Sequence, residues 1–326
     1  MSLAPGVAIL GAIYLSMDAV THHWSVRPFR RVLNRSRLRG KGGTVAVEIR
    51  ANDVGFFAQL NWCLYVLAYC EQRKLNPWIR LTGPPYGDVP NHDWFHDFFE
   101  ETGAAVRSDR AFAQRPYSSV RITHIQETTL AATFAPSMTI EHAHRLFKTY
   151  YRVKDRIQSY VDNFVATEFT GDGVIGLHFR GTDKKSEADP VDWSRCFRSV
   201  MKLATDRPEM KKVFISSDDP RFIDWFVREA NCSLSVIVHP DEERSRDGQP
   251  VHKTAVGSNY WKGFEALVNC LLLSRCAALI RTASFLSGWS SVFNPELPIT
   301  LLNEPFARFC WFPDHELVKR SDNRYL

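Results

Sequence analysis

The order of apolar and polar positions along the chain predicts alternating strands and helices. Short apolar runs, typical of buried strands, alternate with longer segments whose apolar residues recur at helical spacing. The predicted strands cover residues 44–49, 78–81, 118–122, 174–179, 212–216, 234–239, 277–281 and 298–302. The predicted helices cover residues 56–74, 92–100, 139–169 (in one or two pieces), 191–205 and 262–274, with two more after Pro220 and Thr282. This alternation indicates an α/β fold with parallel sheets in two halves.

The stretch at residues 173–190, GVIGLHFRGTDKKSEADP, changes from apolar to polar within one residue. Its first part predicts a strand buried on both faces, as parallel strands are. Arg180 then opens a polar turn that is rich in cationic and hydroxyl side chains. Ligands of open α/β sheets bind beyond the carboxyl ends of the strands, so this turn suits a phosphate group. An isolated HxR triplet would instead favour a solvated loop between a strand and a helix.

The composition narrows the possible classes of function but does not identify one. The chain has 326 residues, 44% hydrophobic and 24% charged, which is ordinary for a globular protein and allows two domains. A net charge of +5 favours anionic ligands but is too small to indicate nucleic acid. The seven cysteines form no CxxC pair. Their odd number and apolar surroundings predict a reducing, cytoplasmic location and argue against a zinc site.

Two features of the first 47 residues concern membranes. Residues 3–17 are apolar but too short to span a bilayer, so we expect a buried or surface-lying segment rather than a signal anchor. Residues 20–47 contain no acidic side chain, and a basic run extends from Arg27 to Lys41. We expect a solvated lead-in there. The alternative is peripheral contact with an anionic membrane, to which each basic residue would add about 1 kcal/mol.

Two patterns resemble metal sites. His92 and His96 are four residues apart beside acids, but the Glu of an HExxH motif is missing. We therefore predict an amphipathic helix whose aromatic residues lie in the core or in an acceptor groove: Trp94, Phe95, Phe98 and Phe99. Asp218 and Asp219 follow a predicted strand and precede Pro220, a pattern typical of a helix N-cap. A cation bound by this acidic pair remains the alternative.

The polar turn resembles the HxRxTDK motif of the α1,6-fucosyltransferases, the family of the animal core fucosyltransferases and the rhizobial nodulation fucosyltransferase. The residues in register are His178, Arg180, Thr182, Asp183 and Lys184. Glu187 and Ala188 match a Glu-Ala pair of that family, one residue closer to the motif. Gly55 and Gln59 resemble the Gly-x-x-x-Gln that opens its first helix, where backbone N–H groups meet an anion.

Three further segments extend the resemblance over residues 55–305, unevenly. FKTYYRVKDRIQSYVDNFV resembles the linker helix before the HxR strand, the Asp-Asp-Pro after the next strand also matches, and NCLLLSRCAALIRTASFLSGWSSVF resembles the third fucosyltransferase motif. The resemblance implies the GT-B fold, with two Rossmann-like domains and a cleft between them. The division it implies is an acceptor-side domain at residues 1–145 (with a basic lead-in at 20–43), a linker helix at 146–170, a donor-binding domain at 171–304 and a tail at 305–326 that packs back.

The implied reaction is metal-independent, inverting transfer of fucose from GDP-fucose to a glycan hydroxyl, in α1,6 linkage to GlcNAc, with no cofactor. A chitooligosaccharide, an N-glycan core or another GlcNAc-containing glycan would be the acceptor. Arg180 would neutralise the leaving diphosphate, Glu187 would act as base with Lys184 holding it, and Asp183 would orient the cations. The donor site would comprise His178, Arg180, Thr182, Asp218, Asp219, Glu265, Asn269, Thr282, Ser284, Phe285, Gly55 and Gln59. The aperiodic residues 240–258 are predicted to close over the donor.

Two departures from the family pattern bear on the donor. Gly181 replaces a second arginine, and Asn269 stands where an Asp is expected to accept the guanine N–H groups. Glu265 lies one turn earlier on the same helix face and is a candidate substitute. Other readings are an α1,2- or protein O-fucosyltransferase and an inactive nucleotide-sugar- or glycan-binding relative. The hypothesis of a basic protein that associates with a membrane or with nucleic acid rests only on the basic run from Arg27 to Lys41.

Overall fold

The structure is a computed structural model that describes residues 44–50, 55–89, 91–102, 119–122, 133–171, 173–181, 187–231, 233–240, 244, 258–307 and 310–324. The apolar segment at 3–17, the basic run at 27–41, residues 182–186 of the central motif and most of the predicted closing loop at 240–258 lie outside this description. No described helix is long and apolar enough to cross a membrane.

Strands and helices alternate through the described residues, as the sequence predicts. The strands are β1 (Thr44–Arg50), β2 (Asn76–Thr82), β3 (Phe99–Glu101), β4 (Ser119–Ile122), β5 (Tyr151–Val153), β6 (Val174–Phe179), β7 (Lys212–Ser217), β8 (Ser235–Val238), β9 (Ala278–Arg281) and β10 (Ile299–Leu301). The helices are α1 (Phe56–Arg73), α2 (Phe95–Phe98), α3 (Ile140–Tyr150), α4 (Asp155–Glu168), α5 (Trp193–Asp206), α6 (Pro220–Ala230), α7 (Asn259–Ser274), α8 (Phe285–Phe293) and α9 (Asp314–Arg324).

Two parallel sheets divide the described chain. The first has three strands in the order β2-β1-β4, and the second has five in the order β10-β9-β6-β7-β8. All six residues of β6 are buried, because this apolar strand lies in the middle of the second sheet with β7 on one side and β9 on the other. The residue that follows β6 therefore emerges at the centre of the sheet's carboxyl edge.

The predicted helix at residues 92–100 is wrong. The helical part is only α2, and the chain then extends into β3, which pairs antiparallel with β5. β5 in turn separates the predicted linker helix into α3 and α4. All four aromatic residues of this region are fully buried, at 0% exposure: Trp94, Phe95, Phe98 and Phe99. Trp94, Phe98 and Phe99 pack around Phe56 at the start of α1, and Phe95 packs on Phe99, so all four form core and cannot line an acceptor groove.

The two histidines of the same region bind carboxylates. His92 Nε2 lies 2.6 Å from Asp97, while His96 contacts Asp93 through Nδ1 and Glu101 through Nε2, both at 2.8 Å. Within the described ranges, no cluster of three or more His, Cys, Asp or Glu side chains could hold a metal ion. Burial alone would lower the pKa of His96, but the two hydrogen-bonded carboxylates raise it to about 9.

We expect this histidine to make stability fall at alkaline pH. Because its folded pKa of about 9 lies above the unfolded value of 6.5, the stabilisation is complete below pH 6.5 and is lost as pH rises to 9. The free energy of unfolding should fall by roughly 2–3 kcal/mol across this window. Urea denaturation at several pH values measures it. Asp93→Asn or Glu101→Gln should reduce the slope, and a slope that survives His96→Gln would contradict this origin.

Helix α1 packs between the first sheet and two other helices. Every residue from Phe56 to Cys70 is buried, because α1 packs on the first sheet, on α3 and on α8. The buried Asn61 amide is a central contact: its Oδ1 accepts from Trp289 Nε1 at 2.8 Å, and its Nδ2 donates to the carbonyl of Phe312 in the tail. Arg320 of α9 also pairs with Glu141 of α3 at 2.6 Å. The C-terminal tail thus contacts elements on the side of the first sheet.

Candidate active site

The carboxyl edge of the second sheet contains a topological switch point. The chain passes from β6 to β7 to β8 in one direction and then returns to β9 on the opposite side of β6. Ligands of open α/β sheets bind in the crevice that such a reversal creates. The residues that leave β6 and β9 meet there: Arg180 N donates to Thr282 Oγ1 at 3.0 Å, and Thr282 N donates to the His178 carbonyl at 3.0 Å.

Asp218 fixes the Arg180 turn. Its Oδ1 accepts from Gly181 N at 3.1 Å, and its Oδ2 lies 3.9 Å from Arg180 Nε. The Arg180 side chain as a whole remains 24% exposed. Asp183, expected in this orienting role, lies outside the described residues with Thr182 and Lys184. Asp218 is thus the carboxylate that the structure places beside this cation.

Asp219 is the N-cap of α6. Its Oδ1 accepts from Arg221 N at 3.1 Å, and both oxygens bind the Arg221 side chain. The prediction of a cap before Pro220 is confirmed. A carboxylate that is committed to a helix start and to a guanidinium has little capacity left for a cation.

The charge of Arg180 acts on a residue that follows the first sheet. The buried Tyr86, in the loop after β2, hydrogen-bonds the backbone of Phe56 at the start of α1. Burial raises the pKa of Tyr86, whereas this bond and the nearby positive charge of Arg180 act in the opposite direction. The charge of Arg180, at the end of β6, thus acts on a buried side chain in the loop after β2.

The structure explains why glycine occupies position 181. A Cβ atom there would lie 2.7 Å from Cε1 of the Phe179 ring, well inside contact distance. That ring stacks on Phe222 of α6, with centroids 4.2 Å apart, and both are buried. An arginine at 181 would thus require this stack to move. The position of the Phe179 ring therefore accounts for the absence of a second cation at 181.

His178 is a buried neutral group. Burial, and then the charges of Arg281 and Arg180, lower its pKa well below the usual value. Its Nδ1 has no hydrogen-bond partner among the described residues. A neutral imidazole adds no charge to a phosphate site, so its contribution there would be a hydrogen bond.

Arg281 is the functional candidate that sequence reasoning missed. This fully buried residue ends β9 opposite His178, and its guanidinium lies under the start of α8. It donates to Ser284 O at 2.6 Å and to Ser287 Oγ at 2.8 Å, and it pairs with Asp314 of the tail at 2.6 Å. The partner is 33 positions away in sequence, so no local pattern signals this contact.

The start of α8 suits an anion. Ser284 is its N-cap in extended conformation, yet no side chain caps the helix, and the buried Ser284 Oγ has no hydrogen-bond partner among the described residues. The backbone N–H groups at the start of this nine-residue helix carry the positive end of its dipole. Thr282 is buried and Phe285 half-buried, so the predicted donor residues after β9 lie together at the switch point.

Glu187 lies where the chain returns after the central motif. It is half-buried, and its carbonyl accepts from Phe306 N at 2.7 Å. Gly55 is the N-cap of α1 with φ −63° and ψ 157°, which is extended rather than left-handed backbone, and Gln59 is buried one turn later. Glu265 and Asn269 are both buried in α7, at 5% and 3% exposure.

Comparisons with known proteins give the family. A model of the family described as nodulation protein Z (NodZ) matches residues 133–313, which is more than half of the chain. The chain belongs to the NodZ family. Nodulation protein Z of Azorhizobium caulinodans is 30% identical over 167 residues, which are 47% of this chain and 48% of the relative. The match to this curated NodZ relative thus spans about half of its length.

Solved structures show the fold. NodZ α1,6-fucosyltransferase co-crystallised with GDP superposes with a TM-score of 0.53 and 17% identity, covering 78% of this NodZ-family chain and 94% of that one. Fucosyltransferase NodZ from Bradyrhizobium superposes with a TM-score of 0.52 and 18% identity, and the match covers 78% of this chain and 94% of that one. A mutant of FUT1 from Arabidopsis thaliana in complex with GDP superposes with a TM-score of 0.51 and 12% identity, and the match covers 88% of this chain and 76% of that one. The predicted GT-B fold is confirmed.

Proposed function

We propose that this chain is an inverting glycosyltransferase that moves fucose from GDP-fucose to a glycan hydroxyl. The observation that carries the proposal is Arg180 at the switch point of the second sheet, beside Asp218 and with its charge acting on the buried Tyr86. Membership of the NodZ family supports it, as do NodZ α1,6-fucosyltransferase structures described as co-crystallised with GDP and soaked with GDP-fucose. The donor would lie in the proposed domain at residues 171–304, with the acceptor on the side of residues 1–145.

The leaving diphosphate is the first charge that the site must stabilise. As the bond between C1 of fucose and the phosphate oxygen breaks, negative charge grows on GDP, and fixed donors aimed at it act where they help most. In our proposal, Arg180 takes phosphate oxygens through two guanidinium N–H groups. The N–H groups at the start of α8 and the Ser284 hydroxyl add to this. No metal ion takes part in this scheme.

The acceptor hydroxyl is the second reacting group. It attacks C1 from the face opposite the phosphate, through an oxocarbenium-like transition state, and its proton passes to Glu187. General-base assistance of this kind typically contributes two to four orders of magnitude in rate. Lys184 and Asp183 would hold the base and the cations. We propose that the acceptor is a GlcNAc-containing glycan and that the new bond is an α1,6 linkage, the linkage that the NodZ structures carry in their name.

An inactive nucleotide-sugar-binding relative is the second candidate, because Gly181 and Asn269 depart from the family pattern. GDP release from GDP-fucose, with and without a chitooligosaccharide, separates the two. Acceptor-dependent release is the expected result. Binding of GDP with no release would favour the inactive relative, and the absence of both binding and release would overturn the proposed function.

Recognition of guanine is testable at Glu265. If its buried carboxylate replaces the missing Asp, Glu265→Gln and Glu265→Ala should weaken GDP binding about tenfold or more, since a hydrogen bond to a charged group is worth about 1.5–3 kcal/mol. Affinity for UDP should change little. Isothermal calorimetry measures both, with the exposed Glu229→Ala of α6 as the matched control. Unchanged GDP affinity in both variants would show that Glu265 does not bind the base.

A further inference from the structure

The tail forms a short antiparallel bridge with the segment that carries Glu187. Ala188 and Pro305 are partners in this bridge, and Phe306 N donates to Glu187 O at 2.7 Å. In an antiparallel pair, the residue before one partner lies opposite the residue after the other. Glu187 and Phe306 are therefore directly opposite, and such side chains project from the same face with Cβ atoms about 5 Å apart.

Burial shows which face this is. Side chains alternate between the two faces of an extended segment, so Glu187 and Phe306 share one face and Ala188 points to the other. Ala188 is 2% exposed and lies towards the core, whereas Phe306 is 38% exposed. An exposed aromatic ring thus stands beside the carboxylate that we propose as the base.

The bridge is also tied to the donor side of the crevice. Asn303 Nδ2 donates to Asp189 O at 2.6 Å, while Asn303 Oδ1 accepts from Ala283 N at 2.8 Å. Ala283 lies between Thr282 and Ser284, the residues that form the anion-binding end of α8. One side chain therefore links the Glu187 segment, the tail and the donor turn, and this fixes Phe306 relative to all three.

We propose that Phe306 is the stacking platform for the pyranose ring of the acceptor. This inference rests on the proposed function, because it takes Glu187 as the group that receives the acceptor proton. A pyranose presents C–H groups on its faces, and covering one face with an aromatic ring removes apolar surface from water while leaving the rim hydroxyls accessible. A sugar on Phe306 would place one of those hydroxyls next to Glu187.

The aromatic residues of α2 and its surroundings cannot serve this purpose, because they are fully buried. Trp311 lies in the same tail and is also 38% exposed, but it lies beyond the bridge. It is therefore a matched control for the loss of an exposed aromatic ring from the tail.

The test is steady-state transfer from GDP-fucose to a chitooligosaccharide by the whole 326-residue chain. Phe306→Ala should raise the acceptor KM about tenfold, as should Phe306→Leu, which keeps the bulk but loses the flat ring. Phe306→Tyr and Trp311→Ala should retain the wild-type acceptor KM. Trp311→Ala should also leave the donor KM and the slow release of GDP to water unchanged, because Trp311 lies beyond the bridge.

An unchanged acceptor KM in Phe306→Ala and Phe306→Leu would overturn the inference while leaving the proposed function intact. An equal rise in Trp311→Ala would also overturn it, because the effect would then be a general property of the tail. If the wild-type chain shows no acceptor-dependent release at all, the proposed function fails and this inference fails with it.

Discussion

Replacing Arg180 with alanine is expected to lower kcat/KM for fucose transfer by about two to three orders of magnitude, the usual cost of removing one fixed donor from a developing negative charge. The Arg180 side chain, which is 24% exposed, lies at the switch point with Asp218 beside its Nε. In the proposed scheme, its loss removes two N–H donors and a charge from the departing diphosphate. Most of the change should appear in kcat, because the interaction strengthens as the phosphate bond breaks.

Arg180→Lys should recover only part of this loss, since an ammonium group acts as a point charge and cannot bind two phosphate oxygens in a fork. Arg198→Ala is the matched control, because this arginine is exposed on α5. Initial rates of GDP release with saturating acceptor, together with calorimetric binding of GDP, measure both effects. If Arg180→Ala kept wild-type turnover and wild-type GDP affinity, Arg180 would have no role at the diphosphate, and the proposed activity would lose its main support.

The second large effect is expected in stability. Asp314→Ala should lower the free energy of unfolding by about 3–5 kcal/mol, because it leaves the fully buried Arg281 guanidinium without its carboxylate. The Nη1 atom of Arg281 already lacks a hydrogen-bond partner among the described residues. Few groups within that part of the chain can therefore replace the carboxylate as a partner of the guanidinium. Urea denaturation followed by tryptophan fluorescence measures the loss.

Asp206→Ala provides the control for this measurement. Its carboxylate forms an exposed pair with Lys202 at 2.6 Å on α5, and exposed pairs are worth at most about 1 kcal/mol. Combining Asp314→Leu with Arg281→Met should restore much of the stability, since an apolar pair of similar volume avoids the buried charge. Equal effects of Asp314→Ala and Asp206→Ala would show that the buried pair contributes no more than a surface pair.

Local signals were sufficient for most of the secondary structure. VIGLHF predicts the buried strand β6 because four of its six residues, Val174, Ile175, Leu177 and Phe179, are large and apolar and lie on both faces. Asp219 before Pro220 predicts the start of α6 because a carboxylate cap and a first-turn proline act within a few residues. The family resemblance then indicated the order of these elements in a GT-B fold.

Contacts between distant segments explain what the sequence did not reveal. The aromatic residues near Phe98 suggested a long helix, but pairing of β3 with β5, about 50 residues later, ends it after four residues. The Arg281–Asp314 pair joins a strand to a tail helix. The Glu187–Phe306 pairing depends on a bridge between segments more than 100 residues apart. Neither periodicity nor capping extends over such separations.

The ion pair between Arg281 and Asp314 also bears on biosynthesis. A ribosome makes residue 314 after residue 281, so the guanidinium at the end of β9 is produced before its counter-charge exists. Until then the nascent second sheet has an arginine that it cannot bury without a large desolvation cost. We therefore expect β9 to reach its final packing only after residue 314 has been made. A fragment that stops at residue 304 should be poorly packed around β9 and is unsuited to expression as an isolated unit.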